Sequence, residues 1–126
     1  MPYITKWEEK GICWTFIGMV THQDVFDSSN EFYEDSRSDS LLYQLVDLSK
    51  VEDIEFNKIT MQQISFMDYA SSQSISNIKV AFISNQAHVI EQLNQYIERS
   101  LSHNSSWSFK IFDDIESARK WLGSED

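Results

Sequence analysis

The chain has 126 residues, the length of one ordinary domain, and its 41% apolar and 24% charged residues are those of a globular protein able to bury a core. Ten basic against 20 acidic residues give a net charge of −10, which argues against nucleic acid and anionic membrane as partners, because both need clustered Lys and Arg. The single cysteine, Cys13, excludes an internal disulfide and a cysteine-based zinc site.

No apolar run approaches the roughly 20 residues of a membrane span and no charged-then-apolar leader opens the chain, so cytoplasmic residence is expected. Tyr3 to Trp7 alternates as a short edge strand, a place where a homodimer could pair. Glu8-Glu9-Lys10-Gly11 reads as a tight turn, with Gly11 free to take a positive φ. Ile12 to Ile17, rich in β-branched and aromatic residues, completes a hairpin. Thr21-His22-Gln23-Asp24 has capping-box spacing and opens a helix to about Asp35. Val25, Phe26, Ser29, Phe32 and Tyr33 fall on one face of it; Asp24, Asp27, Glu31, Glu34 and Asp35 lie largely elsewhere, as a solvated acidic surface. Ser36 to Ser40 closes the helix.

Leu41 to Leu48 is nearly continuously apolar, as suits a central parallel strand covered on both sides. It would deliver Asp47 and Ser49 to the carboxyl edge of the sheet, where open α/β sheets bind ligands. Ile54 to about Ser72 is a helical candidate, with Ile59, Gln63, Phe66 and Ala70 as its stripe, widened by Ile64 and Met67. Ser71 to Ser74 reads as a loop and Ile78 to Ser84 as another buried strand. A helix from about Gln86 to Ser102 carries Ile90, Leu93, Ile97 and Leu101 at helical spacing. After a polar break at His103 to Ser106, Trp107 to Phe112 is the last strand. Asp113 to Glu116 has capping-box spacing for a final helix whose apolar face is Ile115, Ala118, Trp121 and Leu122. The order ββαβαβαβα specifies an α/β fold, a five-stranded mixed sheet, mainly parallel, with helices packed against it in a single domain.

That order, with Val46-Asp47-Leu48-Ser49-x-Val51 and Phe112-Asp113-Asp114-Ile115-Glu116-Ser117-Ala118-Arg119-Lys120-Trp121-Leu122, resembles the STAS domain, and within it the SpoIIAA-like anti-sigma-factor antagonists. The resemblance runs from about Tyr3 to Leu122 and implies a regulatory protein-interaction module. It also implies a strand exit followed by a serine or threonine phosphorylated at the start of the next helix. The matching positions here are Glu55-Phe56-Asn57-Lys58, which carry no hydroxyl, so that switch is absent.

The side chains carry no catalytic signature. His22, His88 and His103 are linked by no metal-ligand spacing, and three separated glycines cannot form a phosphate loop. Cys13, inside a strand beside Trp14, reads as a small hydrophobe. No cofactor, metal site or catalytic residue is therefore expected. Two binding functions remain. In the first, Asp47, Ser49, Glu55, Phe56, Asn57 and Lys58 dock another protein constitutively. In the second, Met61, Phe66, Met67 and Tyr69, surplus to one buried stripe, flank a pocket beside the Ile59–Ala70 helix for a small apolar or lipid-like molecule, an idea helped by the likeness of such folds to SEC14-type domains.

Overall fold

The computed structural model describes residues 3–72, 75, 77–102 and 106–123. Five strands, β1 (Tyr3–Trp7), β2 (Gly11–Val20), β3 (Tyr43–Ile54), β4 (Lys79–Ile83) and β5 (Ser108–Phe112), form one sheet in chain order. β1 and β2 are an antiparallel hairpin, and every later pairing is parallel. Helices α1 (His22–Glu34), α2 (Lys58–Ser72), α3 (Ala87–Ser102) and α4 (Ile115–Leu122) make the parallel crossovers or close the chain.

Alternation along the strands sorts the core into two layers. Ile12, Trp14 and Phe16 of β2 point to the face covered by α1, α2 and α3, with Leu48 and Val51 of β3 and Val80 and Phe82 of β4. Cys13, Tyr43, Leu45, Ala81 and Ile83 point the other way, under Ala118 and Leu122 of α4. No helix among the described residues is long and apolar enough to cross a membrane.

The predicted elements all appear, with corrections at their edges. β3 does not stop at Leu48. It continues for six residues to Ile54, paired with Ile17–Val20 of β2. Asp47 and Ser49 therefore lie inside the strand and not at its exit. Ser49-Lys50-Val51-Glu52-Asp53 is polar enough to pass for a loop, yet Val51 and Ile54 are buried while Ser49, Lys50 and Glu52 face solvent. The extension is a ribbon with one wet side. The register slips twice beside it, and Gly18 accommodates this with φ +74°.

Helix α2 accordingly starts at Lys58, not Ile54. Its buried face is Thr60, Met61, Ile64, Ser65 and Asp68, whereas the expected stripe faces outward, with Ile59 67% and Phe66 62% exposed. Along α3 Leu93 of the expected stripe is buried, but its buried companions are Val89, Tyr96 and Ser100, each one position from Ile90, Ile97 and Leu101, and Leu101 is exposed.

The Thr21 capping box is present, with reciprocal Thr21 and Asp24 bonds. The final helix is capped by Asp114, whose carboxylate accepts from the Ser117 N–H at 2.7 Å, rather than by Asp113. Gly11 has no positive φ. It is needed because the Tyr43 ring lies over it, so that an added Cβ would sit 2.1 Å from a ring carbon. Of the expected polar breaks, 73–74 and 103–105, with His103, lie outside the described residues.

Candidate functional site

The residues expected to dock a partner divide into two groups. Asp47 is half-buried within β3, level with Thr15 and Ile83, and its carboxylate accepts from the Ser49 N–H at 2.9 Å, a local turn-like bond. Five residues of strand separate that pair from the others. Glu55, exposed at the β3–α2 junction, accepts from the His22 N–H at 3.3 Å. Asn57 caps α2 by accepting from the Thr60 N–H at 2.9 Å. Lys58 opens the helix and is exposed; Phe56 turns inward and is buried. Glu55 to Lys58 line a shallow groove with Met61, Gln92 and Gln95.

His22 and His88, far apart in sequence, are both carried to this end of the sheet. His22 Nδ1 lies 3.7 Å from Glu55, and His88 Nε2 lies 3.4 Å from Asp53. All four side chains are about half exposed, so these pairs add little to stability. No group of three His, Cys, Asp or Glu able to hold a metal occurs among the described residues. Burial pushes the Cys13 thiol up, as expected of a core residue and not a nucleophile.

A different site lies inside the molecule. A cavity of about 80 Å³ opens between the sheet and the α1–α3 layer. The sheet contributes Trp14, Phe16, Gln44 and Phe82 among others; α1 contributes Ser28, Phe32 and Tyr33; α2 contributes Ile64 and Asp68; α3 contributes Leu93 and Tyr96. Phe56 stacks 5.2 Å from Tyr96, and Phe82 meets the same ring edge-on at 6.1 Å. Phe32 joins Trp14 to Tyr33 through edge contacts of 6.2 and 5.4 Å.

Among the described residues Asp68 is the one carboxyl in this aromatic lining, and it is 5% exposed. The Tyr33 hydroxyl donates to its Oδ1 and the Tyr96 hydroxyl to its Oδ2, so α1 and α3 both hold a carboxyl delivered by α2. Among the described residues, no lysine, arginine or histidine lines the cavity. Burial without a cation raises the Asp68 carboxyl to about 7, and the Tyr33 hydrogen bond opposes this only in part. Tyr33 is pushed well above its ordinary value by burial and by the neighbouring carboxylate. Across the cavity, the buried indole Nε1 of Trp14 has no hydrogen-bond partner among the described residues.

The residues expected to flank a pocket are placed differently. Met61 is buried in the core, Phe66 is on the surface, Met67 is partly buried and Tyr69 half-buried; none of them lines the cavity. Phe66 and Met67 instead border a shallow outer depression with Phe26, Gln62 and Gln63. The residues that matter, Trp14, Tyr33, Asp68 and Tyr96, carried one usable signal. Met61, Ile64, Ser65 and Asp68 follow i, i+3, i+4, i+7 spacing, which places an acid on an inward helix face.

No protein-family model and no curated protein matches the sequence. Among solved structures, an uncharacterized protein from the DUF3478 family with a SpoIIAA-like fold, from Shewanella loihica PV-4, superposes on 95% of this chain and 91% of its own, with a TM-score of 0.57 and 15% identity. The chain has a SpoIIAA-like fold. In this SpoIIAA-like frame the groove at Glu55–Lys58 sits at the junction where β3 passes into α2, and the cavity sits behind it under the same helix.

Proposed function

We propose that the protein is a non-catalytic binding module that encloses a small molecule between its sheet and the α1–α3 layer. One observation carries the reading: a cavity of about 80 Å³ lined by aromatic rings around a carboxylate. Protein cores close to crystal-like density, and at about 24 cal/mol per Å³ a void of this size forfeits roughly 2 kcal/mol if nothing fills it. The aromatic and aliphatic lining carries a few polar groups, Asp68 and Trp14 among them, which is the pattern of ligand sites with few polar anchors. The Ser28 hydroxyl in this lining donates to the Val25 carbonyl at 2.9 Å, a bond within α1 that does not activate it as a nucleophile.

A titration of fragments against the ¹⁵N-labelled chain tests this. Small alcohols, ketones, amines and carboxylic acids are added in turn, following the Trp14 indole N–H. At least one class should shift that signal saturably, and Leu93→Trp, which fills the space, should abolish the shift. If no class moves the signal, the cavity is not a binding site.

The groove at Glu55–Lys58 favours a second reading, constitutive docking of another protein, with Asp47 and Ser49 as a flanking patch along β3. No residue from 54 to 58 carries a hydroxyl, so a bound partner should be indifferent to kinase treatment of this segment. An interaction that responds to phosphorylation there sinks this second reading.

A further inference from the structure

Among the described residues, two buried carboxylates, Glu8 and Asp68, accept from tyrosine, and Glu8 is paired with a cation while Asp68 is not. Glu8, at the β1–β2 turn, accepts from the Tyr43 hydroxyl and takes a two-pronged pairing from Arg119 of α4, at 2.9 and 2.8 Å. Asp68 accepts from Tyr33 and Tyr96, and its surroundings supply rings and open volume where Glu8 has a guanidinium. A carboxylate taken out of water without a counter-charge is unfavourable by several kcal/mol. Ring faces carry negative charge density, so they attract cations and not anions. Carboxylate and rings therefore select the same guest, while an anion would meet both as repulsion.

Resting on the reading of the cavity as a ligand site, we propose that its occupant is a small organic cation, a protonated amine whose ammonium pairs with Asp68 and whose hydrocarbon part lies against the rings of Tyr33, Phe56, Phe82 and Tyr96. The volume sets the size. About 80 Å³ is near half of a cavity that accepts benzene, so the enclosed part of the guest has roughly three to five non-hydrogen atoms. A tyrosine hydroxyl on each carboxylate oxygen still leaves lone pairs for an ammonium N–H, so the two tyrosines orient the carboxylate without saturating it. Trp14, elsewhere in the lining, has an indole N–H without a partner among the described residues, a donor for an oxygen on the guest if the two meet.

Isopropylammonium and 2-propanol are nearly isosteric and differ in charge, which makes them the decisive pair. Each is titrated into the ¹⁵N-labelled wild-type chain at about pH 8, where the amine and Asp68 are both ionised. The amine should bind at least about tenfold more tightly than the alcohol. Asp68→Asn should erase that preference while alcohol binding persists, and the wild-type comparison stands even if the variant folds poorly. Tyr33 from α1, which burial and the carboxylate push upward, and Tyr96 from α3 are the titratable groups that face Asp68 among the described residues, and the preference should shrink as pH falls below about 7 and Asp68 takes up its proton.

Equal binding of amine and alcohol overturns the cation and leaves the cavity reading intact. No binding of either overturns the cation, and the cavity reading falls with it only if the ketones and carboxylic acids also fail to bind. An amine preference that survives Asp68→Asn, in a variant shown to be folded, also overturns the proposal, because it places the cation elsewhere.

Discussion

The two faces of the sheet handle the same chemical problem in opposite ways. Beneath α4, Glu8 is enclosed with Tyr43 and Arg119, its side chain 1% exposed, on the face where Tyr43 packs with Cys13, Leu45, Ala81 and Ile83. The Arg119 hydrogen bonds hold the Glu8 carboxyl below the usual carboxylate range, against the effect of burial. Beneath α1–α3, Asp68 has tyrosines but no cation, and it is raised to about 7 beside a cavity. One face is finished by its own sequence and the other leaves an opposite charge to be supplied. That contrast teaches that tyrosine hydroxyls alone stabilise a buried carboxyl only partly; the cation decides its charge state.

The largest effect that would break the comparison is at Asp68 itself. Its folded value exceeds that of the unfolded chain, so the folded state binds the proton more tightly. Its contribution is fully present below about pH 4 and is lost as pH rises through about 7. Over that interval up to about 4 kcal/mol of stability should disappear. Asp68→Asn, which stays neutral, should be more stable than wild type by a few kcal/mol at about pH 8 and nearly equal to it at about pH 4. Urea unfolding at the two pH values reads this directly. A variant less stable than wild type at the higher pH would mean that Asp68 has a built-in counter-charge.

Next is Arg119. Arg119→Met leaves Glu8 buried without its guanidinium and should cost about 3 kcal/mol near neutral pH. Glu8→Gln in the same chain should restore most of that loss, because a neutral amide needs no counter-charge. Glu8 also has the opposite pH sign to Asp68. Its folded value is lowered, so its contribution is present above the unfolded carboxylate range and is lost as pH falls through the folded value. The full chain should therefore lose stability on the acid side through Glu8 and on the neutral side through Asp68.

Gly11→Ala comes third. Its new Cβ would meet the Tyr43 ring that reaches Glu8, at 2.1 Å, and the forced shift should cost about 2 kcal/mol and loosen the Glu8 cluster. Thermal unfolding should show the loss, and combining Gly11→Ala with Tyr43→Leu should give less than the sum of the two separate losses.

Why was one face more legible than the other? Element order, sheet class and strand direction follow from periodic apolar segments, and these the sequence displays openly. The α4 layer is legible too, since Ala118 and Leu122 fall on the expected stripe. The cavity layer is not. Its helix α2 buries Ser65 and Asp68 and exposes Ile59 and Phe66, so apolar spacing selects the wrong side. The orientation is set by tertiary partners, the tyrosines at 33 and 96, which stand 35 and 28 residues from Asp68. Nothing local to α2 announces them. The β3 extension was hidden for a related reason: a two-stranded ribbon with one wet side carries Ser49, Lys50 and Glu52, which read locally as loop.

The finest test pairs two tyrosines. Tyr43→Phe removes one hydroxyl from Glu8 and leaves the two Arg119 bonds, so its cost should be about 1 kcal/mol and nearly flat between about pH 6 and pH 8. Tyr33→Phe removes one of the two donors that Asp68 has, with no cation to take over. Its cost should be about 1 kcal/mol at about pH 5, where the carboxyl is neutral, and should grow toward about 2 kcal/mol at about pH 8, where a hydrogen bond to a charged acceptor is lost. The Asp68 midpoint, followed by the ¹³Cγ shift, should move upward in Tyr33→Phe. Saturating isopropylammonium should move it downward, because a bound cation favours the ionised form. If the two tyrosine variants show the same pH profile, the two carboxylates are equivalent and the face beneath α1–α3 does not lack a charge.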